Sequence, residues 1–120
     1  MSVVLLSSDL MSTSRIAGAA KQIGIECSIA LSLAALDSKL VEGTRLVLID
    51  LTMPSVVPSV LVPKIRTALK VRPHVVAFGP HVHGELLEEA ETSGCDRVLT
   101  RGEFFSRVVE ILSSTVAPAE

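Results

Sequence analysis

Tryptophan and tyrosine are absent from this 120-residue chain, and Phe78, Phe104 and Phe105 are its only aromatic residues. A flavin ring would therefore find no tyrosine or tryptophan to stack on. Cysteine is scarce too. Cys27 and Cys95 are too few and too far apart for a disulfide framework or a metal cluster, and both read as reduced, small apolar side chains. As redox sensors they lack a neighbouring cation apart from Arg97. Excess positive charge is missing: 11 Lys and Arg stand against 13 Asp and Glu, a net charge of -2, with no basic block longer than residues 64–66. Nothing here favours attraction to phosphate backbones, so nucleic acid is not an expected partner. Long apolar runs are also wanting. The opening MSVVLLSSDL has four consecutive apolar residues and no positive flank, too little for a signal peptide or a membrane span, which leads us to expect a cytoplasmic protein with no membrane partner.

What the chain does have is apolar content, 48%, enough to fill the core of one domain of this length. Short β-branched runs at residues 3–6, 25–29, 46–49, 75–78 and 98–99 predict five strands. Helical periodicity fills the intervals. Ile16, Ala19, Ala20 and Ile23 mark one helix, with Ser12 or Ser14 as its cap and Gly24 at its end. Leu33, Leu36 and Leu40 mark a second that closes at Gly43. Pro58 can start a third, but Pro63 removes a hydrogen bond inside it and should shift its start or kink it. Leu86, Leu87 and Ala90, ending at Gly94, give a fourth, and Phe104, Phe105, Val108, Val109 and Leu112 give a single last helix. Alternation of this kind predicts an α/β, (βα)5 doubly wound domain over residues 1–114, its parallel sheet covered on both faces, with 115–120 as a flexible tail.

Sheets of this architecture carry their chemistry at the carboxyl ends of the strands. Those ends hold Ser7, Ser8 and Asp9 after the first strand, Asp50 after the third, Gly79 and His81 after the fourth, and Arg101 after the fifth. Asp50 draws attention because it closes an apolar run, Leu46 to Ile49, and a carboxylate there loses hydration that only partners can restore. Either it is paired structurally, with Arg101 at a neighbouring strand end, or it is placed to react.

The stretch LVLIDLTMP, with SGCDRVLTRGEF further on, resembles the receiver domain of bacterial two-component response regulators, the chemotaxis-regulator-like family, over residues 2–113. The resemblance implies a flavodoxin-like five-stranded sheet of order 2-1-3-4-5, with Asp50 in the place of the aspartate that takes a phosphoryl group from a histidine kinase. It also implies Arg101 in the place of the family's lysine, as phosphate or Asp50 partner. The family adds Mg²⁺ held by acids after the first strand and a hydroxyl after the fourth, because a carboxylate is a poor nucleophile toward a dianionic phosphoryl group. Here the sequence departs from the pattern. Ser7 and Ser8 leave at most Asp9 of the acidic pair, Gly79 stands for the hydroxyl, and Val98 stands for the aromatic switch residue. Asp9 and Asp50 are then the candidate Mg²⁺ ligands, holding it weakly, and Asp9 has the rival task of capping the first helix.

The expectation that follows is an atypical, single-domain receiver-like protein, at most a phosphoacceptor rather than an enzyme, with phosphorylation at Asp50 weak, slow or absent. It would act by binding other signalling proteins, a histidine kinase or a downstream effector, as a monomer or weak homodimer. The contact face implied by the family would carry Glu85, Glu88, Glu89, Arg97, Glu103 and Arg107. Two alternatives stay open. One is a fully active phosphoacceptor with Asp50 as nucleophile, Asp9 as metal ligand and Arg101 as phosphate clamp. The other is a flavodoxin-like binder of a small phosphorylated ligand using the hydroxyl-rich SSDLMSTSR. His81 and His83, one residue apart beside the same edge, could bind a transition metal, but H-x-H without a third ligand reads more simply as a surface loop turned by Pro80.

Overall fold

The computed structural model describes residues 2–82 and 84–116. Five strands, β1 (Ser2–Leu6), β2 (Glu26–Ala30), β3 (Thr44–Asp50), β4 (His74–Gly79) and β5 (Arg97–Thr100), form one parallel sheet of order β2-β1-β3-β4-β5. The helices are α1 (Leu10–Gln22), α2 (Leu33–Lys39), α3 (Pro58–Ala68), α4 (Gly84–Thr92), α5 (Arg101–Ser106) and α6 (Val108–Val116). This is the doubly wound arrangement that the alternating pattern predicts. Alternation of side chains along the strands divides the apolar residues into two layers. Val4, Leu6, Val47, Ile49, Val75 and Ala77 face α2, α3 and α4, while Val3, Leu5, Leu46, Leu48, Val76 and Phe78 face α1, α5 and α6. The central strands are apolar on both sides, which is why they read as continuous hydrophobic runs.

Three expectations change in detail. Of the caps expected for α1, Asp9 takes the place rather than Ser12 or Ser14: its carboxylate accepts the Ser12 backbone N–H at 3.3 Å. Pro63 does not shift the start of its helix. Pro58 occupies the first turn, where a missing N–H costs nothing, and α3 continues through Pro63 to Ala68 with Leu61, Val62 and Ile65 buried. The single last helix is two. Arg107 leaves helical geometry at φ -125° and ψ 15°, its N–H donating to the Phe104 carbonyl at 3.1 Å, and α6 restarts at Val108. One non-helical residue barely disturbs the apolar spacing, so the break was invisible in the periodicity. Helix α6 reaches Val116, inside the expected tail, and 117–120 lie outside the described residues.

Candidate functional site at the carboxyl edge of the sheet

Register places the site. Asp50, the last residue of β3, is level with Phe78 on β4 and Leu99 on β5. Leu6 is level with Ile49, so the next residue along, Ser7, comes level with Asp50. The result is a direct bond: the Ser7 hydroxyl donates to Asp50 Oδ2 at 2.7 Å. The other carboxylate oxygen, Oδ1, accepts from the Thr52 backbone N–H at 2.9 Å and from the Thr52 hydroxyl at 2.6 Å. Asp50 is only 1% exposed, and neutral donors satisfy both of its oxygens. Ser7 itself also accepts, at 3.2 Å, from the Asp9 backbone N–H, which fixes the hydroxyl's orientation toward Asp50.

The expected Asp50–Arg101 pair does not form. Arg101 Nη2 lies 2.9 Å from Asp9 Oδ2, and among the described residues no ion pair involves Asp50. The geometry explains the choice. Asp9 stands two residues beyond Ser7 and Arg101 two beyond Leu99, so both project past the level of Asp50, and α1 and α5, which they open, cover the same face of the sheet. The Phe105 ring sits 5.3 Å from the Arg101 guanidinium, and Arg15 of α1 lies over the same ring at 4.1 Å. Asp9 also accepts from the Ser12 hydroxyl, which is the main cause, ahead of Arg101, of a carboxyl pKa lowered to about 2.

The remaining candidates fall around this centre. Gly79 ends β4 with no side chain, and a Cβ there would be crowded by Leu51 Cβ at 3.1 Å. Ser8 is exposed, Val98 packs half-buried on the α4 side of the sheet, and His81 is exposed in the turn before α4. His83 lies outside the described residues. The hydroxyls of SSDLMSTSR are largely engaged within the fold, Ser7 on Asp50, Ser12 on Asp9 and Thr13 on the Leu10 carbonyl. Cys27 and Cys95 are half-buried free thiols whose pKa burial pushes up to about 11, which suits packing rather than redox reactivity. Several charges of the expected contact face have internal tasks. Glu103 closes a capping box with Thr100, Arg97 approaches Glu110 at 4.0 Å, and Glu89 accepts from the Ser59 N–H.

No family model and no curated protein matches the sequence. Solved structures do. A response regulator signal receiver domain from Bermanella marisrubri superposes with a TM-score of 0.81 at 19% identity, over 97% of this chain and 99% of that one. A response regulator from Thermotoga maritima gives 0.78 at 14%, over 98% and 99%. The receiver domain of a sensor histidine kinase from Pseudomonas aeruginosa, solved with magnesium coordinated in its active-site cleft, gives 0.78 at 15%, over 98% of each chain. The chain has the fold of a response-regulator receiver domain.

Within that receiver fold, a divalent cation at Asp9 and Asp50 would have to compete with the donors those carboxylates already hold. Mg²⁺ requires near-octahedral oxygen ligands and commonly one or two carboxylates with free lone pairs. Asp50 already accepts from two side chains, Asp9 from Ser12 and a guanidinium, and among the described residues no three His, Cys, Asp or Glu side chains gather as a metal site. No helix among the described residues is long and apolar enough to cross a membrane.

The clustering of arginines around the opposite edge of the sheet is not foreseen from the sequence, where Arg97 alone has an expected place, on the contact face. Arg45, Arg66, Arg72 and Arg97 line one cleft of about 660 Å³ at the amino ends of β3, β4 and β5, together with His74 and Asp96. Their separation along the chain hides them: no two are closer than six positions, and only the parallel register brings the strand starts side by side.

Proposed function

We propose that the chain is a receiver-like module of two-component signalling that acts by docking to other signalling proteins, a histidine kinase or a downstream effector, with phosphoryl transfer to Asp50 weak or absent. The observation that carries this reading is the state of Asp50. A nucleophilic carboxylate needs an oxygen lone pair directed at the phosphorus and positive charge to offset the dianion it attacks. Asp50 instead directs Oδ2 at the Ser7 hydroxyl and Oδ1 at Thr52, nearly without solvent contact, while the cation of this edge is bound to Asp9. Phosphorylation at either oxygen would disturb the hydroxyl bond made there, and charge compensation would have to draw Arg101 from Asp9. Downstream of it, Gly79 offers a transferred phosphoryl group no hydroxyl, and a side chain placed there would crowd Leu51.

Incubation with acetyl phosphate and Mg²⁺ followed by intact-mass measurement tests the reading. The expected result is a mass unchanged within error, with and without Mg²⁺. A phosphoryl-sized increase that disappears in Asp50→Ala would replace this reading with an active phosphoacceptor, using Asp50 as nucleophile.

A further inference from the structure

The cleft at the amino edge of the sheet concentrates positive charge in a protein whose net charge is -2. Its lining holds four arginines from three regions of the chain: Arg45 near the start of β3, Arg66 in the last turn of α3 with Arg72 in the loop that follows, and Arg97 at the start of β5. One acid shares it. Asp96 is engaged by Arg66 at 2.9 Å and by the Val75 backbone N–H at 2.8 Å, so its charge is neutralised within the wall. Arg66 also donates to the Pro73 carbonyl at 2.7 Å and to the Gly94 carbonyl, fastening the loops before β4 and β5. With this pair engaged in the wall, the lining still offers the guanidinium groups of Arg72 and Arg97. Arg72 is exposed and makes no hydrogen bond or ion pair among the described residues, and Arg97 approaches Glu110 only to 4.0 Å.

We propose that this cleft binds a small ligand through a condensed phosphate group, a pyrophosphate unit either free or carried by a nucleotide. Guanidinium forks match phosphate oxygens in pairs, and several forks facing one concavity match a ligand that bears more than one phosphoryl group. About 660 Å³ lies within the roughly 300–1,000 Å³ of small-ligand sites, more room than one orthophosphate needs. No phenylalanine lines the cleft, so recognition would rest on the anion rather than on a stacked ring. The site is independent of the chemistry at Asp50. Arg45 and Asp50 are five residues apart on one strand, roughly 16 Å along it.

Calorimetric titration of the full chain with inorganic pyrophosphate, ADP and orthophosphate provides the test, repeated on Arg72→Ala and Arg97→Ala variants whose folding is verified by circular dichroism. Saturable pyrophosphate binding is expected, at least about tenfold tighter than orthophosphate and weakening as salt is raised. Arg72→Ala, which loses no internal bond, should weaken it roughly tenfold. ADP equal to pyrophosphate would identify the free anion as sufficient, and tighter ADP binding would identify a nucleotide; either supports the site. Absence of saturable heat at millimolar pyrophosphate, orthophosphate binding as tightly, or an unchanged affinity in both variants would overturn it. If Arg97→Ala fails to fold, Arg72→Glu supplies the second variant.

Discussion

Asp9 shows how a single side chain at the site divides its interactions. It caps α1, accepts from the Ser12 hydroxyl and pairs with Arg101, and these bonds together hold its pKa down to about 2 from an ordinary 3.8. A carboxyl whose folded-state pKa is depressed stabilises the fold above its unfolded value and loses that contribution as pH falls through the folded one. For Asp9 the window is therefore from 3.8 down to about 2. In an NMR titration of the side-chain carboxyl, Arg101→Ala should raise the midpoint while leaving it below 3.8, and Ser12→Ala should raise it further, because the hydroxyl is the larger cause. The reverse ranking would show that the ion pair dominates. At Asp50 the corresponding variant is Ser7→Asp, which replaces a donor 2.7 Å from Oδ2 with a second carboxylate. Two like charges so close destabilise the fold unless a cation lies between them. The variant's Tm should thus rise on adding Mg²⁺ while that of the unsubstituted protein stays flat. That Asp50 sits at the reactive edge was legible from its place at the end of an apolar run. Which acid Arg101 would choose was not, because both lie at strand ends and the outcome depends on α1 and α5 sharing one face.

At the level of elements, periodicity located every strand, because parallel strands buried on both faces leave nearly unbroken apolar runs, and it located the helices wherever Leu, Ile or Ala recur at helical spacing. It failed where a local backbone effect is small beside the packing around it. The break at Arg107 is one such place and Pro63 is another: the buried Leu61, Val62 and Ile65 hold α3 together across a residue that lacks an N–H. Any other residue at position 63 could donate to the Ser59 carbonyl, whereas proline has no N–H and its ring crowds the same turn, a defect of about 3 kcal/mol in an unsupported helix. Pro63 is exposed, so replacing it disturbs no core contact. Pro63→Ala should accordingly raise stability by about 1–2 kcal/mol, the rest being offset by the greater freedom that alanine gives the unfolded chain. Urea unfolding would show this as a higher midpoint at unchanged slope. A lower midpoint would mean that the proline already follows an unstrained path through α3.

Across the whole molecule, one sheet separates two apolar layers and holds opposite chemistry at its two edges: hydroxyls and acids around Asp50, arginines around Asp96. The layers lie on opposite faces of one sheet and every strand contributes to at least one of them, so we expect them to melt together. Ile16 of α1 and Ile65 of α3 are each fully buried, in different layers and with the sheet between them. Ile→Val at either site removes one methylene and should cost about 0.5–1.5 kcal/mol. Because the two share no partner, the double variant should lose the sum to within about 0.5 kcal/mol, in a single transition of unchanged slope. A double variant whose unfolding splits into two steps would mean that the layers fold as separate units. A loss well short of the sum would mean that strain passes through the sheet, and the arginine cleft and Asp50 would then be mechanically joined despite lying at opposite ends of β3.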